Sequence, residues 1–162
     1  MTGRRYPLAL AMLFALVGAF AAPGCGGQPV GRICDLGTTL PSPGEVVIAS
    51  PSLDCVTRTC LSVPQTNPNP PPGSMPPSGA NGLCTAECSA DSDCERVPES
   101  PCVSGFTCAI GVTVGPYCCK KLCICKDYIQ VPSNGTVPTP KACEPSDANN
   151  TCCNLPGRTG AC

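Results

Sequence analysis

Cys84-Thr85-Ala86-Glu87-Cys88-Ser89-Ala90-Asp91-Ser92-Asp93-Cys94, followed further on by Cys118-Cys119-Lys120-Lys121-Leu122-Cys123-Ile124-Cys125-Lys126-Asp127, is the part of the chain whose reading decides the fold. Residues 84–162 hold thirteen of the 17 cysteines, and cysteine makes up about a tenth of the 162 residues, the density of a disulfide scaffold. Beyond Cys25 the chain has only 25 Val, Ile, Leu, Met and Phe residues and no tryptophan. Ordering a residue costs roughly 1–2 kcal/mol of chain entropy, more than so thin a core offsets, so covalent bridges must carry much of the fold. Thiols stay reduced in the cytosol, and cysteine at this density points to an oxidising compartment. The fold expected is therefore small, disulfide-rich and mostly irregular, with short antiparallel β-hairpins and little helix outside the signal peptide.

The first 24 residues read as a signal peptide. Arg4 and Arg5 form a basic start, and an uncharged run from Pro7 to Ala22 follows. That run is shorter than the ~20 residues a membrane-spanning helix needs, and it ends in small residues. Ala22-Pro23-Gly24-Cys25-Gly26-Gly27 resembles the lipobox of bacterial lipoproteins, in which cleavage precedes a cysteine that carries a diacylglycerol thioether. Gly24 and Cys25 match that pattern, while Ala22 and Pro23 depart from it. The resemblance implies lipidation at Cys25, a membrane partner and, with Gly26 in place of an aspartate, an outer-membrane location. Cleavage after Ala21 and secretion as a soluble chain is the alternative.

Cysteine parity bears on both the anchor and the architecture. With Cys25 acylated, an even sixteen remain: Cys34, Cys55, Cys60, Cys84, Cys88, Cys94, Cys102, Cys108, Cys118, Cys119, Cys123, Cys125, Cys143, Cys152, Cys153 and Cys162. Residues 25–31 read as a flexible tether, 32–63 as a small segment with three cysteines, 64–83 as a proline-rich linker and 84–162 as the core. From Pro64 to Gly79 seven of sixteen residues are proline, the composition of an extended spacer. Three and thirteen are both odd, so complete pairing within the chain requires at least one bridge across the linker. The partners stay open, since sixteen cysteines allow about two million connectivities. Adjacent Cys118-Cys119 and Cys152-Cys153 are expected to bridge outward, because a ring closed between neighbours strains the peptide between them.

Strand-like runs fall at residues 45–48, 55–63, 106–110, 112–114 and 122–131, with a hairpin turn at Asn134-Gly135 and one helical turn around residues 85–88. Cys88-x2-Asp91, Cys94 and the later Cys118-Cys119-x3-Cys123 resemble part of the four-disulfide core of whey-acidic-protein domains, several of which inhibit serine proteases. Cys102 and Cys108 interrupt that spacing, and Cys123-Ile124-Cys125 shortens its end. The whole chain, from leader to the Cys118–Asp127 stretch, resembles cysteine-rich lipoproteins of myxobacterial type, which implies export and anchoring but no activity.

The chemistry expected of the chain is narrow. It has no histidine, which removes the commonest general base and the Ser-His and Cys-His pairs. It has no Cys-x2-Cys dithiol, and Cys123-x-Cys125 offers metal-ligating thiolates only if its cysteines stay reduced. Asp91 and Asp93 read as a solvated acidic turn, with no EF-hand loop behind them. Eight Lys and Arg against eleven Asp and Glu after the leader form no basic stripe for nucleic acid. The reading is a non-enzymatic, lipid-anchored envelope or surface protein, structural or binding a protein or carbohydrate ligand, without cofactor, metal or nucleic acid. A protease inhibitor on a disulfide scaffold is the alternative, and an envelope metal-binding protein a further one.

Overall fold

The structure, a computed structural model, describes residues 27–37, 40–144 and 152. Eight short strands carry it: β1 (Gln28–Val30), β2 (Ile33–Asp35), β3 (Val47–Ala49), β4 (Thr59–Ser62), β5 (Asn81–Thr85), β6 (Cys94–Arg96), β7 (Phe106–Ile110) and β8 (Lys121–Cys125). Two 3-10 turns, Asp91–Asp93 and Lys141–Cys143, are the helical elements among the described residues. The fold is small, disulfide-rich and built of short, mainly antiparallel pairings. One sheet runs in the order β2-β5-β4-β3, β7 and β8 form a hairpin, and β1 lies parallel to β6.

The central strands β4 and β5 are buried on both faces, and alternation assigns each face a different filling. Leu61 on one face packs with Ala109, Leu122 and Ile124 of the β7–β8 hairpin. Leu83, beside Leu61 in the register, joins Val30, Phe106 and Tyr128. On the same face the Thr85 hydroxyl donates to the Cys123 carbonyl at 2.7 Å. Cys60 and Cys84 occupy the other face, where Cys34, Cys55 and Leu36 complete a second cluster that is mostly sulfur. Sulfur thus fills the volume that the short supply of large apolar side chains leaves open.

The Cys34–Cys60 bridge bends the sheet. It joins β2 to β4 over the intervening β5, with the two Cα atoms 5.9 Å apart. Strands two places apart in a flat sheet stand roughly 9.5 Å apart, so the sheet folds sharply about β5. Gly82 makes room for this. A Cβ at Gly82 would lie 2.6 Å from the Leu61 carbonyl oxygen and 3.1 Å from Cys60 Sγ.

Several segments differ from the sequence expectation. Residues 28–30, read as tether, form β1, and Val30 is fully buried among Leu83, Phe106 and Tyr128. At Gly31 the chain turns with φ +99°, and a Cβ there would stand 2.4 Å from Ser100 Oγ. The proline-rich stretch, read as an extended spacer closed by a bridge, is also bonded to the core. Its last residues belong to β5, and its non-proline residues bond to the core: Thr66 and Asn67 N–H donate to the Tyr128 carbonyl, and the Tyr128 hydroxyl donates to the Met75 carbonyl. Prolines have no N–H to donate, so they contribute packing instead, with Pro76 and Pro77 over Leu83, Phe106 and Tyr128 around a cavity of about 30 Å³. Residues 85–88 form no helical turn, because Thr85 ends β5 and Glu87 bridges to Leu122 of β8. Residues 112–114 are not a strand, and Asn134-Gly135 makes a turn without flanking strands.

Candidate functional site

Cys25, Cys153 and Cys162 lie outside the described residues. The other fourteen cysteines pair in seven bridges: Cys34–Cys60, Cys55–Cys84, Cys88–Cys108, Cys94–Cys123, Cys102–Cys125, Cys118–Cys152 and Cys119–Cys143. Cys55–Cys84 is the bridge that spans the proline-rich stretch. The adjacent Cys118 and Cys119 bridge outward to different partners. Cys102 and Cys108, which interrupt the whey-acidic-protein-like spacing, close onto Cys125 and Cys88. Sulfurs of neighbouring bridges come close, and those of Cys34, Cys55 and Cys84 lie within 4.8 Å of one another. In the oxidised protein Cys34 is bonded to Cys60 and Cys55 to Cys84, so these sulfurs hold no thiolate for a metal.

The acidic residues at Asp91–Asp93 are tied into the fold. Asp91 Oδ1 accepts from the Cys108 N–H at 2.8 Å and the Thr107 hydroxyl at 3.1 Å, while its Oδ2 meets Lys126 Nζ at 3.0 Å. Burial works to raise the Asp91 carboxyl, but those three donors together hold it below the usual carboxylate range. Asp93 Oδ2 accepts from Ser89 N–H and Ala90 N–H, which lower its pKa in turn. Both carboxylates fasten turns, where the sequence suggested a merely solvated cluster.

Asp127, only 1 % exposed, is the buried acid that sequence reasoning left without a role. Its carboxylate accepts from Val103 N–H at 2.5 Å and Ser104 N–H at 3.1 Å, holding the turn that follows Cys102. Next to it, Tyr128 is buried, and that burial, assisted by the Asp127 charge, pushes its phenol up to about 12. Unfolded tyrosine titrates near 10, so the native state holds this proton more tightly. The stability that follows is whole below pH 10 and is lost as pH rises toward about 12. Tyrosinate absorbance at 295 nm is expected to show a step near pH 12 that Tyr128→Phe removes; loss of that step, or no difference between Tyr128→Phe and the parent above pH 11, would contradict it.

The most exposed apolar side chains on an ordered loop are Leu53 and Val56, 81 % and 79 % accessible. They flank Cys55, which is buried and bridged to β5. Ser52 N–H donates to the Arg58 carbonyl at 2.8 Å, and Tyr117 donates to Ser50 Oγ at 2.9 Å, so the base of this 50–58 loop is fastened as well. Beside it runs an open groove of about 560 Å³ between residues 35–37 and 47–54. An apolar residue on each side of a lone cysteine was the available signal for the loop; nothing in the local sequence marked the groove, which arises from the bend of the sheet.

These features define a class, a disulfide-stapled β module with a fastened 50–58 loop beside an open groove. No protein-family model, curated protein or solved structure matches the chain.

Proposed function

We propose that this chain is an exported, lipid-anchored envelope protein whose disulfide-stapled module binds a ligand and catalyses nothing. The observation that carries the reading is the pairing of all fourteen described cysteines, which suits an oxidising compartment outside the cytosol. No helix among the described residues is long and apolar enough to cross a membrane. The lipobox-like Ala22–Cys25 stretch supports acylation of Cys25 as the means of attachment. A preorganised surface such as the 50–58 loop lowers the ordering cost of binding, which favours a recognition role over a purely structural one.

Intact mass spectrometry of the membrane-extracted protein tests the anchor. The expected species begins at Cys25 and carries diacylglycerol, and Cys25→Ser moves the protein to the soluble fraction. A soluble wild-type chain beginning at Ala22 would overturn it. The second reading, a serine-protease inhibitor, is favoured by Leu53 and Val56 on either side of bridged Cys55. Silence across a panel of proteases with apolar specificity pockets removes it.

A further inference from the structure

The bend about β5 leaves two sheet edges on one groove. Hydrogen bonding in an antiparallel ladder alternates, so a few bonds set the direction of every main-chain group. Cys84 N–H donates to the Arg32 carbonyl and Leu36 N–H to the Ala80 carbonyl, so the even-numbered residues of β2 face β5 and Asp35 faces outward. Residues 80, 82 and 84 of that neighbouring segment are then turned to β2, and 83 and 85 to β4. Thr59 and Leu61 thereby face β5, Cys60 and Ser62 face β3, and their partners Ala49 and Val47 face β4. Ile48, between them, directs its N–H and C=O away from the sheet. The same groove is lined by Asp35 and Leu36 on one bank and Val47, Ile48 and Ala49 on the other, with Asp54 at the loop end.

The two banks are not equivalent. On β2 the outward Asp35 N–H is taken by Asp54 Oδ2 at 2.9 Å, so that edge is partly closed. Among the described residues, β3 pairs with β4 alone, which leaves its edge at Ile48 open to a new strand. Asp35 Oδ1 accepts from Gly37 N–H at 2.7 Å, so each aspartate spends one oxygen on the main chain and keeps the other. Among the described residues, no lysine or arginine lines the groove. An open edge recruits an extended chain through main-chain bonds, and uncompensated carboxylates select its charge.

We propose that the groove binds an extended cationic peptide segment, which adds to β3 at Ile48 and sets a lysine or arginine against Asp35 and Asp54. This rests on the reading of the module as a binding protein and is independent of the lipid anchor.

The test uses the oxidised, isotope-labelled protein and a blocked hexapeptide of alternating lysine and valine. Saturable amide shifts are expected at Asp35, Ile48 and Ala49, with no comparable response to the glutamate-valine counterpart. Methylating alternate peptide nitrogens abolishes the shifts, because strand addition needs those N–H groups. The double variant Asp35→Asn, Asp54→Asn keeps acceptors for Gly37 and Asp35 N–H, so it stays folded, and it weakens binding about tenfold. No shift up to millimolar peptide, equal response to the glutamate peptide, or indifference to methylation each overturns the groove. Saturable shifts confined to other residues overturn it while leaving a binding module intact.

Discussion

Full reduction unfolds the module in buffer without denaturant: sheet dichroism collapses, amide dispersion is lost, and removal of the reductant under oxidising conditions restores both. Each bridge contributes roughly 2–4 kcal/mol, mostly by restricting the unfolded chain, and seven together match or exceed the about 5–15 kcal/mol by which an ordinary domain is stable. The dependence is also spatial. The second core cluster consists of Cys34, Cys55, Cys60 and Cys84 around a single leucine, so reduction removes its substance as well as its constraint. Among single bridges, Cys55–Cys84 closes a span of 29 residues, for which chain entropy alone gives about 3.5 kcal/mol. Replacing both partners by serine is expected to lower Tm by on the order of 10–20 °C. A fully reduced protein that keeps its dispersed spectrum would sink the idea that sulfur holds this fold.

Asp127→Ala is the point substitution expected to cost most outside the cysteines. Two N–H groups, of Val103 and Ser104, lose a charged acceptor that nothing nearby replaces. Hydrogen bonds to a charged group are worth about 1.5–3 kcal/mol each, and some of that returns as solvent reaches the exposed part of the turn, leaving a loss of about 3 kcal/mol. Asp127→Asn keeps one good acceptor and should lose roughly half as much. Urea titration with the bridges intact measures both. An alanine variant within 0.5 kcal/mol of the parent, a difference usual for a neutral surface change, would show that the Cys102–Cys125 bridge alone orders the turn.

How much of this could be read from residues alone depended on where the physical signal was local. The run 106–110 became β7 with the same ends, because Phe106, Thr107 and Ile110 are residue types that favour strands and Gly105 and Gly111 bound them. The run 122–131 overlaps β8 but outlasts it, since the chain turns at Lys126–Tyr128 to let Asp127 reach back to Val103. β5 begins inside the apparent linker, and only the bridge above Gly82 explains why a glycine belongs in a central strand. β1 and β2, three residues each, are too short for periodicity to register, and Val30 is buried by partners more than fifty residues away. The groove was invisible for the same reason. Its banks come from strands at opposite edges of one sheet, brought near each other by a covalent bond whose partners no spacing rule identifies.

The burial of Val30 bears on how the protein would stand at a membrane. From Cys25 to the start of β1 at Gln28 is three residues, a span of at most about 10 Å even fully extended. A folded body of this size has a radius of gyration of about 14 Å. With lipid on Cys25 the leash is thus shorter than the body it holds, so the module would sit against the headgroups like a rivet and turn little. Which face meets incoming molecules would be decided by the position of β1 rather than by diffusion, and partners embedded in or gliding along the same bilayer would meet it far more often than those arriving from solution.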